Sequence, residues 1–319
     1  MELGKSIGMT EGKATRVAFG EALRDLAVED TQIVVVDADL NNSTRTDIFA
    51  KDHPDRFFNV GIAESNMVGV GAGLAAAGKK PWIASFATFV MSNAYDQLRM
   101  SVAFPEWNVK VVGSHSGISI GEDGPSQMGI EDVALACALP GFLVVVPCDE
   151  ASTRAAVRAI NDHPGPAYLR TGRPNAPIVY KDEASWQLGK ANQIRDGKDL
   201  TIVANGLMVA PALEAAAALE KDGVSARVLD VHTVKPLDVE TLVRAARETG
   251  RVVVAEEHLA HGGLGSVVAA ALAERQPVPM RFVNLGDRFA ESGAPDELLK
   301  KYGLTYEHVV RAAKELLEG

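Results

Sequence analysis

The chain has 319 residues and a formal net charge of −10. That acidic balance, with no dense Lys/Arg patch, excludes a nucleic-acid footprint, although a few placed arginines can still hold an anion locally. With 47% apolar residues the length suits two globular domains. No apolar run reaches membrane-spanning length, so no membrane partner is expected. Only two cysteines occur, Cys137 and Cys148, without a CxxC pairing, and the N-terminus lacks an apolar signal core. Both observations fit a soluble protein of a reducing compartment, the cytoplasm.

Apolar residues recur at helical spacing from about Lys13 to Ala27, and Gln32 to Val36 then reads as a buried strand ending in Asp37-Ala38-Asp39. A helix is predicted over Ser65 to Ala77, a strand over Pro81 to Ala84 and a helix over Met91 to Val102. Val109 to Val112 is a strand, Ile130 to Ala138 a helix and Phe142 to Val146 a strand. A helix over Ala151 to Ile160 leads to the short strand Ala167 to Leu169. Buried β-branched strands alternating with helices predict an α/β fold with a mostly parallel sheet covered on both faces.

Periodicity lapses between Thr171 and Gly197, where glycines and prolines mark a linker with room for one short hairpin. The alternation resumes with strands at Leu200 to Val203, Ala226 to Leu229, Val252 to Val254 and Met280 to Val283. Helices are predicted over Met208 to Lys221, Val239 to Ala246, Ser266 to Arg275 and Tyr306 to Leu317. Two α/β domains are therefore expected, residues 1–185 and 186–319.

Ligands of open parallel sheets collect beyond the carboxyl ends of the strands. Four segments of the first domain are expected at that edge: Asp37 to Thr44, the run around Glu64, Ser85 to Phe89, and Ser114 to Gln127. Taken from Gly113, the last holds four glycines and one proline, an ordered irregular loop whose backbone can approach a ligand and whose His115, Asp123 and Gln127 could face one cavity. Gly117-Ile118-Ser119-Ile120-Gly121 also satisfies G-x-S-x-G. A nucleophile elbow needs a helix immediately after the serine, which Gly121-Glu122-Asp123-Gly124-Pro125 cannot begin, so a serine hydrolase is not expected. His258 and His261, three apart, are not read as a metal site.

The run Gly121-Glu122-Asp123-Gly124-Pro125-Ser126-Gln127-Met128 resembles transketolases, in the animal-type version; bacterial and yeast members have histidine where this chain has Gln127. Ala14-Thr15-Arg16, Asn42-Ser43-Thr44, Ile62-Ala63-Glu64-Ser65-Asn66-Met67, Asp96-Gln97-Leu98-Arg99-Met100, Arg170-Thr171-Gly172-Arg173-Pro174-Asn175 and Lys235-Pro236-Leu237-Asp238 match in the same order. The resemblance spans nearly the whole chain, but only the C-terminal half of a full-length member. It implies a pyrimidine-binding domain followed by a transketolase C-terminal domain, and transfer of a two-carbon ketol unit from a ketose phosphate to an aldose phosphate with thiamine diphosphate. Glu64 would hydrogen-bond N1′ of the aminopyrimidine and favour its imino tautomer. Phe89, with Phe86 beside it, would pack on the pyrimidine ring; Leu40 would support the bent cofactor and Gln127 would lie near it. Arg16, Ser43 and Arg173, with His115 nearby, match the positions that grip the sugar phosphate, and Asp123 the carboxylate that reads a substrate hydroxyl.

A complete transketolase also carries a Gly-Asp-Gly metal motif, which this sequence lacks. The resemblance therefore implies the small subunit of a split enzyme. A separate N-terminal subunit would supply the diphosphate site and the ligands of Mg2+ or Ca2+, and two such heterodimers would form a heterotetramer. The second domain is expected to serve assembly. Two alternatives remain: the β subunit of a 2-oxoacid dehydrogenase, which has no reason to keep Arg16, Ser43 and Arg173 together, and a non-catalytic regulatory paralogue, which need not keep Glu64.

Overall fold

The computed structural model describes residues 2–183 and 186–318; the expected end of the first domain at Ser185 falls outside them. The fold is two α/β domains with mostly parallel sheets. Strands Ile33–Asp37, Lys80–Phe86, Lys110–Ser114, Leu143–Val145 and Ala167–Arg170 are almost wholly buried, as runs rich in Val, Ile and Leu must be when helices cover both faces. They form a seven-stranded sheet in the order Thr233–Lys235, Leu143–Val145, Ala167–Arg170, Lys110–Ser114, Lys80–Phe86, Ile33–Asp37, Phe57–Asn59. All neighbours are parallel except Thr233–Lys235, which is antiparallel at one edge. The register sets Asp37 beside Ala84, Phe86 beside Ser114 and Gly113 beside Arg170, so four strands end at one edge.

A second sheet runs Met280–Val283, Val252–Ala255, Leu200–Ala204, Ala226–Asp230, Asn192–Arg195, parallel except for the last strand. Among the described residues the linker forms no hairpin of its own. Asn175–Pro177 instead pairs with Glu11–Ala14, and Asn192–Arg195 joins the second sheet; both partners are far away in sequence. The helix expected over Met91 to Val102 is broken by Ala94 (φ −107°) into π-helical turns at Phe89–Asn93 and Leu98–Ala103 around the short helix Tyr95–Gln97. Such widened turns concentrate at functional sites. Strand Thr233–Lys235, too short to show periodicity, carries the second half of the chain back onto the first sheet, where Lys235 Nζ donates to the carbonyls of Cys137 and Leu139.

At Gly20 of helix Thr15–Glu29 a Cβ would stand 2.3 Å from the Arg45 carbonyl, so only glycine lets the helix meet the segment after Asp37 this closely. The buried polar centre is Arg170, which donates from Nε and Nη2 to both oxygens of Asp132 (2.8 and 3.0 Å) while Tyr168 donates its hydroxyl to Asp132 at 2.6 Å. Burial alone would push the Asp132 carboxyl up, but Arg170 and Tyr168 outweigh it and hold it below the ordinary carboxylate range. Asp132→Ala would leave a buried guanidinium uncompensated. The expected loss is about 3–5 kcal/mol of unfolding free energy, read by urea denaturation, and a loss under 1 kcal/mol would show the pair to be dispensable. Because the folded pKa is depressed, the stability that Asp132 contributes is present at neutral pH and disappears as pH falls through that value.

Candidate active site

The loop after Ile33–Asp37 is organised by buried Asp37, whose carboxylate accepts from Leu40 N–H (2.6 Å) and the hydroxyls of Thr44 and Thr46 (both 2.8 Å). These bonds fold Asn41–Thr44 into one helical turn and aim the Ser43 carbonyl at helix Thr15–Glu29. Arg16 donates to that carbonyl at 2.7 Å and to the carbonyl of Arg173 at 3.3 Å. Both partners are neutral, so the charge of Arg16 stays largely uncompensated. Burial, then Arg45 and Arg173, act against it, while Asp47 favours it. Arg173 donates to the Ile120 carbonyl and pairs with exposed Glu122 at 3.1 Å, an anion that any phosphate would have to displace. Arg16, Ser43 and Arg173 are thus brought together, and Arg45, held at φ +70°, is a third guanidinium beside them.

Glu64 opens helix Glu64–Ala76 and is buried, 5% exposed. Asn93 donates to its Oε2 at 3.0 Å, and its Oε1 has no hydrogen-bond partner among the described residues. Asn93 ends the widened turn that begins with Phe89, so the turn joins the carboxylate to the aromatic pair. Phe86 and Phe89 stack with centroids 5.5 Å apart, and Phe86 stacks on His115 at 4.0 Å. His115 adopts φ +57°, and its Nδ1 lies 2.9 Å from the Ser114 hydroxyl. Burial, then Arg16 and Arg173, depress its pKa to about 3, so it stays neutral beside the guanidinium cluster. An aromatic stack therefore links the Glu64 region to the cationic pocket. Leu40 is half-buried against the same core cluster as Phe89. Asp123 is exposed and Gln127 half-buried on the glycine-rich loop, and neither side chain has a hydrogen-bond partner among the described residues.

That loop is held from the other domain. Glu257 Oε1 accepts the Ser119 N–H at 2.6 Å, and a Cβ on Gly117 (φ +79°) would stand 2.1 Å from the Glu257 carboxyl carbon. Pro295 packs 3.0 Å from where a Cβ of Gly121 would stand, and the Ser292 hydroxyl fills the place of one on Gly124. Burial pushes the Glu257 carboxyl up, opposed by Arg170 and Ser119. The second domain thus shapes the loop that carries Asp123 and Gln127, a task that the sequence did not lead us to expect of it. Ser119 is buried in the turn Ile118–Ile120, unlike an exposed nucleophile. His258 uses both ring nitrogens, accepting from Ala134 N–H and meeting the Leu259 carbonyl. Glu257 adjoins His258, which the sequence singled out without assigning it a task; Asn93 and Arg45 carried no local signal at all.

Glu257→Ala would leave the buried Ser119 N–H unpaired, worth about 1–3 kcal/mol. A lower melting temperature and a roughly tenfold or larger fall in kcat/KM at this site are expected, with Glu257→Gln, which keeps an acceptor oxygen, recovering most of both. Equal melting losses and equal activity in both variants would remove Glu257 from loop positioning. Gly117→Ala should resemble Glu257→Ala, because it displaces the same carboxylate and strains a left-handed backbone.

Two family descriptions cover most of the chain: "Transketolase, pyrimidine binding domain" matches residues 11–179 and "Transketolase, C-terminal domain" residues 189–309. The chain is 45% identical to the 6-deoxy-6-sulfo-D-fructose transketolase subunit SqwH of Clostridium sp. (strain MSTE9), over 95% of this chain and 94% of that protein. It is 40% identical to transketolase of Mus musculus over 95% of this chain but only 49% of the mouse protein. A solved structure described as "Split gene transketolase, inactive beta4 tetramer" superposes with a TM-score of 0.90 at 47% identity, covering 96% of this chain and 99% of that one. The chain belongs to the transketolase family.

Proposed function

We propose that this protein is the small subunit of a split, thiamine-diphosphate-dependent transketolase, active in the cytoplasm once joined to an N-terminal subunit. The observation that carries this reading is the placement of Glu64: buried, with one oxygen fixed by Asn93 and the other free, beside the turn that holds the Phe86–Phe89 stack. A half-free carboxylate and flat apolar rings are what an aminopyrimidine requires, so these residues fit the cofactor. Thiamine diphosphate, when bound, supplies the nucleophilic carbon and the electron sink for moving a two-carbon ketol unit. Glu64 holds a proton at N1′, Asn93 fixes the direction of that carboxyl group, and Phe89 and Phe86 exclude water from the ring. Arg16 and Arg173 clamp a phosphate by charge-assisted bonds, with the Ser43 hydroxyl and neutral His115 completing the grip. Asp123 would take a substrate hydroxyl, and Gln127, on the same loop, would contact the bound cofactor.

Among the described residues no three His, Cys, Asp or Glu side chains stand where they could hold a metal ion. Mg2+ or Ca2+ is assigned to the partner, which would also bring the diphosphate site, because this sequence carries no Gly-Asp-Gly motif. A partner surface is available: Gly71 packs on Ile83, whereas the Cβ positions of Gly69 and Gly73 on the same helix open into empty space. Ile62 and Phe104 are more than 80% exposed, and Phe58, Met100 and Trp107 are partly exposed. A heterotetramer of two heterodimers would cover them. A sugar phosphate is the proposed substrate class, because three guanidiniums beside a neutral histidine suit a dianion. The sulfo-sugar named for the Clostridium relative makes a sulfonate the competing anion.

Ketol transfer measured with thiamine diphosphate and magnesium should be absent for this chain alone and appear with its N-terminal partner; activity of the chain alone would overturn the split-site reading. Glu64→Gln should abolish activity while partner assembly survives, and a fully active variant would leave only a scaffold role. Arg173→Ala should weaken phosphorylated acceptors by about 1.5–3 kcal/mol, roughly 10- to 150-fold, and unphosphorylated ones far less. Equal effects on both would remove Arg173 from the phosphate grip.

A further inference from the structure

The second sheet ends in the edge strand Met280–Val283, and beside it lies a cavity of about 280 Å³ that no part of the ketol-transfer reading uses. Four cationic side chains line it: Arg281 on the edge strand, Arg288 in the following loop, Lys301 at the end of helix Pro295–Lys301, and Arg311 on helix Tyr306–Glu318. Glu315 is the only acidic residue in the lining. In a chain of net charge −10, such a concentration of positive charge is a local departure from the whole.

The four cations are unequally committed. Arg281 reaches Glu315 at 3.4 Å with both side chains about half exposed, a weak surface pair, and Lys301 pairs with Glu291. Arg288 is fixed in direction, its guanidinium 4.8 Å above the Tyr302 ring and its Nε bonded to the Leu285 carbonyl. Arg311 makes no hydrogen bond or ion pair among the described residues. His308 also faces the cavity. Burial and then Arg311 lower its pKa, and its Nδ1 is engaged with the Thr305 hydroxyl, so it offers its other nitrogen without adding charge. A preoriented guanidinium, an unpaired one and a neutral imidazole are the donors that bind tetrahedral oxyanions by charge-assisted forks. The volume is at the small end for ligand pockets, suited to a phosphate group on a small carrier at most.

We propose that this cavity is a second phosphate-binding site, taking inorganic phosphate or the phosphate of a small metabolite, separate from the Arg16–Arg173 grip. Helix Pro295–Lys301 connects it to the first domain: Lys301 lines the cavity, while Pro295 at the other end packs against Gly121 of the glycine-rich loop. Phosphate recognition here is independent of the chemistry proposed for Glu64.

The test is titration of the full chain with inorganic phosphate, followed by calorimetry at constant ionic strength with chloride as the exchanged anion. Saturable binding should persist in Arg16→Ala/Arg173→Ala and weaken at least tenfold in Arg288→Ala/Arg311→Ala. Arg311→Gln alone, which leaves the Arg288–Tyr302 contact intact, should also weaken it, so a folding defect in the double variant does not decide the matter. No binding in the Arg16→Ala/Arg173→Ala background, or equal binding with and without Arg311, overturns the site. A small sugar phosphate titrated into the Arg16→Ala/Arg173→Ala variant distinguishes the sources. Tighter binding than inorganic phosphate assigns a metabolite and equal binding assigns the free ion, and either upholds the cavity.

Discussion

Arg170 stands at the end of a central parallel strand, and its guanidinium ties that strand to two segments distant in sequence, residues 129–132 and Glu257. It pairs with Asp132, donates to the Gly129 carbonyl behind the glycine-rich loop, and donates to the Glu257 carbonyl of the second domain at 3.0 Å. The Glu257 side chain in turn accepts from Ser119 within the loop. A charge this deeply buried is costly unless it is paired and hydrogen-bonded, and the partners of Nε and Nη2 come from the loop, the sheet end and the second domain together. Every proposed substrate-contacting residue of the loop inherits its place from this network.

The same constraint explains the conformations of the loop glycines. Gly117, Gly121 and Gly124 all have positive φ, and at each the space a side chain would need is taken by a residue of the second domain. Backbone freedom and close approach act together, which lets a rigid turn present Ile120 to Arg173 without a lid or hinge. The second domain thereby contributes to the first domain's site without placing a side chain on the proposed substrate.

Charge is partitioned in a comparable way. An acidic chain holds two local concentrations of arginine, one at the end of the first sheet around Arg16 and one at the edge of the second around Arg311. In both, a histidine is kept neutral by burial and by the neighbouring guanidiniums, and so adds hydrogen bonding without further repulsion. Arg16, satisfied only by carbonyls, keeps its charge available to an anion.

The sequence by itself determined the α/β class and most of the long strands and helices, because buried Val/Ile runs and helical spacing are local signals. It also drew attention to Glu64, Phe86, Phe89, Arg16, Ser43, His115 and Arg173 through ordered motifs, and the fold brings the last four to one sheet edge. Only the tertiary structure decided where the linker strands pair, since Asn175–Pro177 and Asn192–Arg195 are too short to carry a period and find partners distant in sequence. It alone gave Asn93 to Glu64, Arg45 to the guanidinium cluster and Glu257 to Ser119. Those pairings depend on which surfaces meet after the sheets have formed, and long-range contact of that kind leaves no trace in the spacing of residues along one chain.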